Sequence, residues 1–161
     1  MKFKCEVGDV DYIDRAPLQF INTVDLTAPP EAVFSALRET DAWLCWFPDM
    51  KSAVWDGEPG AGTDRNVKVG AMTIKEHFMI WREPYQMAFY VSETSLPFAK
   101  RMVENYTIEE TATGSRFTYA VGMDLRFPLS VVKFAAKPKF EKMFHDAIVS
   151  FEKFMIQQRG T

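Results

Sequence analysis

The sequence predicts an α+β protein in which a curved antiparallel sheet of about seven strands lies under one long C-terminal helix. Three observations lead to this prediction. Two short helical patterns follow the first strand, about six strand patterns then follow one another through short turns, and the last third changes to helical spacing. Strands joined by short turns pair antiparallel, and an apolar sheet face needs a cover that only the terminal helix is long enough to provide.

The first strand is predicted at Gln19–Leu26, where side chains alternate as in a half-buried strand. Pro29 and Pro30 end it, and Pro30 suits the first position of a helix. Thr40 is a candidate N-cap for a second short helix, which is rich in tryptophan and ends at Pro48.

Six strands are predicted in the middle of the chain, each bounded by turn residues: Lys51–Trp55, Asp64–Val69, Met72–Arg82, Tyr85–Glu93, Arg101–Glu110 and Ser115–Leu125. Alternation assigns one face of each of the last four to the protein interior. The inward rows are Met72, Ile74, Glu76, Phe78 and Ile80; Met87, Phe89, Val91 and Glu93; Met102, Glu104, Tyr106 and Ile108; and Phe117, Tyr119, Val121, Met123 and Leu125. Glu93 lies at a strand end, where we expect it to be solvated.

The C-terminal helix is predicted from apolar residues that recur at spacings of three and four: Phe140, Met143, Phe144, Ala147, Ile148, Phe151, Phe154 and Met155. An earlier start near Leu129 would place Pro138 inside the helix, where proline breaks or kinks it. Gly160 is predicted to end the helix.

The length of 161 residues suits a single domain, residues 1–161, in which residues 1–17 form an N-terminal extension of unpredicted structure. The net charge of −3 lacks the basic footprint of a nucleic-acid-binding protein, so no nucleic-acid partner is expected. We find no signal peptide and no apolar stretch of membrane-spanning length, which favours a cytoplasmic location. The oligomeric state is not predicted.

No motif in the sequence indicates a cofactor or a metal. The two histidines and two cysteines lack metal-ligand spacing, so neither a zinc site nor a disulfide framework is expected. A P-loop, a dinucleotide-binding glycine motif and a serine nucleophile motif are also missing, so no cofactor is predicted.

The best functional indication is the pair Glu76 and Glu104, which interrupt apolar inward rows in a chain with 14% aromatic residues and nine methionines. A buried carboxylate is costly unless it is paired, hydrogen-bonded or protonated, and such groups often have shifted pKa values. There are two alternatives: a β-bulge turns either residue outward, or both residues lie at the solvated mouth of the sheet. Tyr106 and Tyr119 share these faces and either direct hydroxyls at a ligand or satisfy them within the core.

Several segments together resemble the START-like, or SRPBCC, superfamily with the helix-grip fold, and within it the bacterial polyketide cyclase/dehydrase and lipid-transport group. They are Val24–Phe34 (VDLTAPPEAVF), Ala42–Pro48 (AWLCWFP), Lys75–Phe78 with Trp81–Pro84, and Phe151–Phe154. The resemblance covers about residues 18 to 156, and it departs at Pro29, where members often carry a capping serine. It implies an internal cavity for an apolar or amphipathic ligand, without implying a reaction.

The leading hypothesis is therefore a protein that binds a small hydrophobic molecule, lipid-like or polyketide-like, between the sheet and the C-terminal helix. The predicted ligand-binding residues are Glu76, Glu104, Tyr106, Tyr119, Phe78, Phe89, Met102, Phe117, Phe144 and Ile148. The alternative is a cyclase, dehydratase or hydrolase that uses Glu76 or Glu104 as general acid/base, and a third class is an interaction module without a ligand. Four lysines at 133, 137, 139 and 142 form either a solvated face or a contact with an anionic membrane.

Overall fold

The computed structural model describes residues 1–159, so the predicted helix end at Gly160 lies outside the described residues. Its strands are β1 (Phe3–Lys4), β2 (Leu18–Leu26), β3 (Met50–Asp56), β4 (Asp64–Val69), β5 (Met72–Arg82), β6 (Gln86–Thr94), β7 (Ala99–Thr111) and β8 (Gly114–Leu125). Its α-helices are α1 (Pro30–Arg38), α2 (Thr40–Trp46) and α3 (Lys133–Arg159), with 3₁₀ helices at Val10–Arg15 and Leu129–Val132. The predicted helix-grip architecture is confirmed.

The main sheet runs in the order β2-β8-β7-β6-β5-β4-β3, with every pair antiparallel. Its two edges, β2 and β3, are connected through α1 and α2. These two helices consequently cross from one edge of the sheet to the other and close one end of its inner face.

Helix α3 packs most closely against the β2–β8 side of the sheet. The ring of Phe144 lies 5.3 Å from that of Phe20 and 5.8 Å from that of Tyr119, measured between centroids. One turn further on is Ile148, and Phe151 then packs between Phe117 and Trp46, at 5.0 and 4.8 Å. Because the helix is held at this side, its first half leaves a space over the rest of the inner face, which residues of β3, β4, β5, β7 and β8 line.

Two details of the helices differ from the sequence expectation. Helix α3 continues through Pro138 without a break, and the segment before it is the 3₁₀ helix rather than α-helix. The N-cap of α2 is Glu39 and Thr40 is its first helical residue, so Thr40 does not cap the helix. The N-cap of α1 is Pro29, as the departure from the family pattern at this position implies. It forms no side-chain capping bond, because the proline ring has no hydrogen-bond acceptor.

Two β-bulges between β5 and β6 correct the predicted inward rows. The register skips Met79, which turns Ile80 to the outer face and brings Trp81 inward against Phe34. It also skips Ser92, so Glu93 leaves the inner face and forms an ion pair with Lys2. Since Glu76 lies between the two irregularities, its side chain stays inward.

The N-terminal extension, whose structure the sequence does not predict, is part of the sheet and of its outer face. Strand β1 pairs with the end of β6, and Glu6 N–H donates to the carbonyl of Lys100 in β7 at 2.8 Å, so the segment fills the gap where β6 and β7 separate. The following 3₁₀ helix places Tyr12 and Ile13 in a second apolar cluster with Val103 on the outer face.

Candidate functional site

A cavity of about 320 Å³ lies between the first half of α3 and the sheet. Since a cavity of about 10–15 Å³ already admits one water molecule, a cavity of this volume means that the inner face is not packed solid. Its lining residues are Trp43, Phe47, Met50, Val67, Val69, Met72, Ile74, Glu76, Leu96, Phe98, Met102, Glu104, Tyr106, Tyr119, Met123, Phe140, Met143 and Phe144. Leu96 is 49% exposed, which marks the side of the cavity nearest solvent.

Methionine is concentrated in this wall. Five of the nine methionines line the cavity, compared with seven of the 23 aromatic residues. Five of the other aromatic residues form a packed layer beside α1, where Phe78 contacts Phe89 and Trp55 at 5.0 and 4.8 Å; the remaining members are Phe34 and Trp81. Methionine is flexible and polarizable, so this wall suits irregular apolar ligands better than a tightly packed aromatic wall does.

Arg65, on β4, is fully buried between the aromatic layer and the cavity. Its Nε donates a 2.7 Å hydrogen bond to Glu76 Oε2, and its Nη1 donates to the carbonyl of Leu37 at 3.3 Å. Leu37 belongs to the last turn of α1, where carbonyls lack intrahelical donors and a cation is favoured by the helix dipole. The guanidinium also stacks 4.3 Å from the ring centre of Trp43, which stabilises a buried cation further.

Glu76 is the counter-ion of this guanidinium. Burial raises the pKa of the Glu76 carboxyl, and the charge of Arg65 and its hydrogen bond oppose that rise. An arginine side chain stays protonated in proteins, and a buried cation requires an anion beside it. We therefore assign Glu76 as ionised and committed to Arg65.

Glu104, on β7, has a different environment. Burial raises its pKa from 4.5 to about 8, and the negative charge of Glu76 adds to the rise. The hydroxyl of Tyr106 donates to Glu104 Oε1 at 3.3 Å, and the hydroxyl of Tyr119 also interacts with this carboxyl. Near neutral pH Glu104 is therefore mainly protonated and presents an O–H donor and a carbonyl acceptor at the cavity wall.

Burial also raises the pKa of both tyrosine hydroxyls well above the ordinary value of 10, so Tyr106 and Tyr119 are neutral. Their rings are 4.7 Å apart and both line the cavity. With Arg65 and Glu76 paired and Glu104 protonated, these five side chains, which we call the polar group, carry no net charge.

Six of the ten predicted ligand-binding residues line the cavity: Glu76, Glu104, Tyr106, Tyr119, Met102 and Phe144. The other four, Phe78, Phe89, Phe117 and Ile148, are buried but are not part of its wall. Phe78, Phe89 and Phe117 lie on the side of the polar group where α1 and α2 fill the space above the sheet, and Ile148 lies where α3 meets the sheet. Inward direction alone does not distinguish these two environments.

Arg65 is the residue of the polar group that the sequence prediction misses. The available signal is alternation, because Arg65, Val67 and Val69 share one face of β4 and the two valines line the cavity. Its pairing with Glu76 follows from the register, since the two residues are directly opposite each other in β4 and β5.

The histidines lie away from the cavity. His77 is on the outer face of β5, 2.7 Å from Asp64 Oδ1, and His145 is exposed on α3. Within residues 1–159, no group of three or more histidine, cysteine, aspartate or glutamate side chains is arranged to hold a metal ion.

A family model described as polyketide cyclase/dehydrase and lipid transport matches residues 18–153. The chain belongs to this family. The chain is also similar to the uncharacterized protein Rv2574 of Mycobacterium tuberculosis, with 32% identity over 139 residues, 84% of this chain and 83% of that protein.

Solved structures confirm the START-like fold of this polyketide cyclase/dehydrase family member. A START superfamily protein from Mycobacterium smegmatis matches with a TM-score of 0.70 and 13% identity, over 87% of this chain and 98% of its own. A Staphylococcus aureus protein of unknown function, SA2116, matches with a TM-score of 0.69 and 13% identity, over 89% and 96%. Family and fold together support a protein that binds hydrophobic ligands.

Proposed function

We propose that the protein binds a small, mainly apolar molecule in the cavity, with an uncharged polar end at Glu104 and Tyr119. The observation that carries this proposal is the composition of the cavity wall. Among its lining residues the only ionisable groups are two carboxyls and two tyrosine hydroxyls, and every other side chain is apolar or aromatic.

The size of the cavity suits such a ligand. Its volume of about 320 Å³ lies at the lower end of the range that small-molecule pockets occupy, roughly 300–1,000 Å³. Burial of an alkyl or ring system against five methionines supplies the binding free energy, at about 0.8 kcal/mol for each buried CH₂ group.

The charges of the cavity wall favour a ligand whose polar end is uncharged. An anionic end would lie beside Glu76 and Glu104 without a cation to neutralise it, because Arg65 is already paired and does not line the cavity. An alcohol or a ketone avoids this cost, because the protonated Glu104 donates to its oxygen and the Tyr119 hydroxyl is an additional partner.

A matched series of ligands tests the proposal. Displacement of the neutral dye Nile red is measured at neutral pH with decanol and decanoate, which share one alkyl chain. We expect decanol to displace the dye at a concentration at least about tenfold lower than decanoate does, since one unpaired buried charge costs more than 1.4 kcal/mol. Glu104→Gln should keep decanol binding, and Glu109→Gln, which changes an exposed carboxyl on the same strand, is the control.

The outcomes separate the two parts of the proposal. If neither compound binds, the cavity does not take a ligand of this kind, and an interaction module without a ligand is favoured instead. If decanoate binds as tightly as decanol, the binding function stands and the requirement for an uncharged end is wrong.

An enzyme is a second candidate because Glu104 combines a pKa of about 8 with a place in the cavity wall. A protonated carboxyl of this kind suits a general acid that protonates a carbonyl or a departing hydroxyl during a cyclisation with loss of water. Glu76 is less suited because its charge is committed to Arg65. Mass spectrometry of a poly-β-ketone thioester incubated with the protein tests this: the wild type should release one water per ring closed, and Glu104→Gln should not.

A further inference from the structure

A run of large apolar side chains is exposed immediately before and at the start of α3. We call these residues the apolar patch; their exposed fractions lie between 40% and 81%, and they are Phe127, Leu129, Val131, Val132 and Phe134. Single exposed apolar residues are ordinary, but five within eight consecutive positions are not.

The apolar patch adjoins the mouth of the cavity. Arg126 N–H, directly before the patch, donates to the carbonyl of Phe98 at 2.9 Å, and Phe98 lines the cavity. Leu96, two residues earlier, lines the cavity and is half exposed. On the other side, Phe140 continues from the patch along α3 into the cavity wall. The exposed and the internal apolar surfaces are therefore neighbours around one opening.

Basic residues are frequent in the stretch of chain that carries the patch and in the residues after it. Residues 126–143 contain five of them and a single acidic one, in a chain whose net charge is −3. Lys137 pairs with Glu141, and Lys142 pairs with Asp146. Lys133 and Lys139 have no carboxylate partner among residues 1–159.

We propose that the apolar patch docks on an anionic phospholipid bilayer, with the mouth of the cavity facing the membrane. In this arrangement the patch enters the boundary between headgroups and acyl chains, and the lysines contact lipid phosphates while their alkyl stems lie along the apolar surface. A second copy of the chain is a poorer occupant, because a two-fold contact at this face would bring together Lys133 and Lys139 of both copies, which have no carboxylate partner among residues 1–159.

Docking itself does not rest on the proposed ligand-binding function, whereas transfer of a ligand between membrane and cavity does. The test therefore measures membrane binding alone, by flotation of the full-length protein with vesicles of phosphatidylcholine, with or without phosphatidylglycerol. We expect flotation with the anionic vesicles, much less with phosphatidylcholine alone, and a loss of binding as salt is raised.

Two kinds of variant separate the apolar and the charged contributions. The pair Lys133→Gln and Lys139→Gln should weaken binding to anionic vesicles by about tenfold or more, since each lysine near an anionic surface contributes appreciably. Val131→Ser with Phe134→Ser should weaken it at least as much by removing the inserted side chains.

Matched controls carry the same changes at exposed positions elsewhere: Lys68→Gln with Lys153→Gln, and Ile21→Ser with Val54→Ser. These should float like the wild type. The proposal is overturned if the wild type does not float with anionic vesicles, or if the control pairs lose as much binding as the patch variants. It is also overturned if Phe134→Ser abolishes a dimer in solution while vesicle binding is absent, because the patch is then an interface between two copies.

Discussion

Arg65 decides which of the two cavity carboxyls carries a charge. Its guanidinium is bound to Glu76, to the end of α1 and to the face of Trp43, so one carboxylate is neutralised inside the protein. Glu104, 6% exposed and without a cation of its own, is left with tyrosine hydroxyls as partners. Two glutamates that look equivalent in the sequence therefore have different protonation states, and this difference underlies the ligand class that we propose.

The raised pKa of Glu104 predicts a pH-dependent stability. Between the ordinary carboxyl value of 4.5 and the folded-state value of about 8, the native protein binds a proton that the unfolded chain does not. The resulting stabilisation is complete at the acidic end and is lost as pH rises through 8, by an amount on the order of 3–5 kcal/mol. Urea unfolding of the wild type and Glu104→Gln from about pH 5 to pH 9 measures it, since the amide cannot ionise.

We expect the wild type to lose stability relative to Glu104→Gln as pH rises across this range. Glu109→Gln, with its change at an exposed site on the same strand, should follow the wild type. A difference between wild type and Glu104→Gln that is independent of pH would show that Glu104 titrates normally.

At the level of elements, the N-terminal extension completes the sheet. The gap between β6 and β7 is filled by residues 3–6, and the 3₁₀ helix Val10–Arg15 lies on the outer face above β7 and β8. Gly122 of β8 permits this contact, because a Cβ at this position would lie 2.7 Å from the Cα of Ile13. The extension is thus bound through close backbone packing as well as through strand pairing.

Gly122→Ala should displace the 3₁₀ helix. The added methyl group meets backbone rather than a flexible side chain, so we expect a loss of about 1–3 kcal/mol in the free energy of unfolding. Hydrogen exchange of residues 10–16 should become faster, while exchange in β4 and β5 is less affected. Gly60→Ala is the control, since no atom lies within 4 Å of its added Cβ. Unchanged exchange in residues 10–16 would contradict this role of Gly122.

At the level of the whole molecule, the inner face of the sheet is divided into a solid half and a hollow half. α1 and α2 fill the end that contains Phe78 and Phe89, and α3 packs on the β2–β8 side. The space left over is lined by residues of β3, β4, β5, β7 and β8. The polar group lies at the boundary between the two halves.

No helix within residues 1–159 has the length and apolar character to cross a bilayer.

A cavity-filling variant tests this division. Met143 lines the cavity from α3, and Met143→Trp adds volume there. A ligand that occupies the cavity stabilises the wild type by about 2.7 kcal/mol at one hundred times its Kd. We expect decanol to raise the Tm of the wild type and to raise that of Met143→Trp much less. Ile156→Trp, at an exposed position of the same helix, should respond like the wild type; an equal response of Met143→Trp would place the ligand elsewhere.

Much of the fold follows from local patterns. The limits of β4 and β5 agree with the sequence prediction at both ends, and those of β2, β6, β7 and β8 differ by at most two residues. The inward direction of Glu76 and Glu104 is likewise confirmed by their burial. Alternation and helical spacing depend on backbone geometry alone, so a single sequence carries them.

The sequence by itself therefore determined an antiparallel sheet gripped by a C-terminal helix, with two carboxyls and two tyrosines on its inner face. Only the tertiary structure decided that Phe78, Phe89, Phe117 and Ile148 belong to solid packing, that Arg65 neutralises Glu76, and that residues 3–6 enter the sheet. The physical reason is that side-chain direction is a local property of a strand. The distance between α3 and the sheet, and with it the difference between a core and a cavity wall, results from all the long-range contacts that position the three helices.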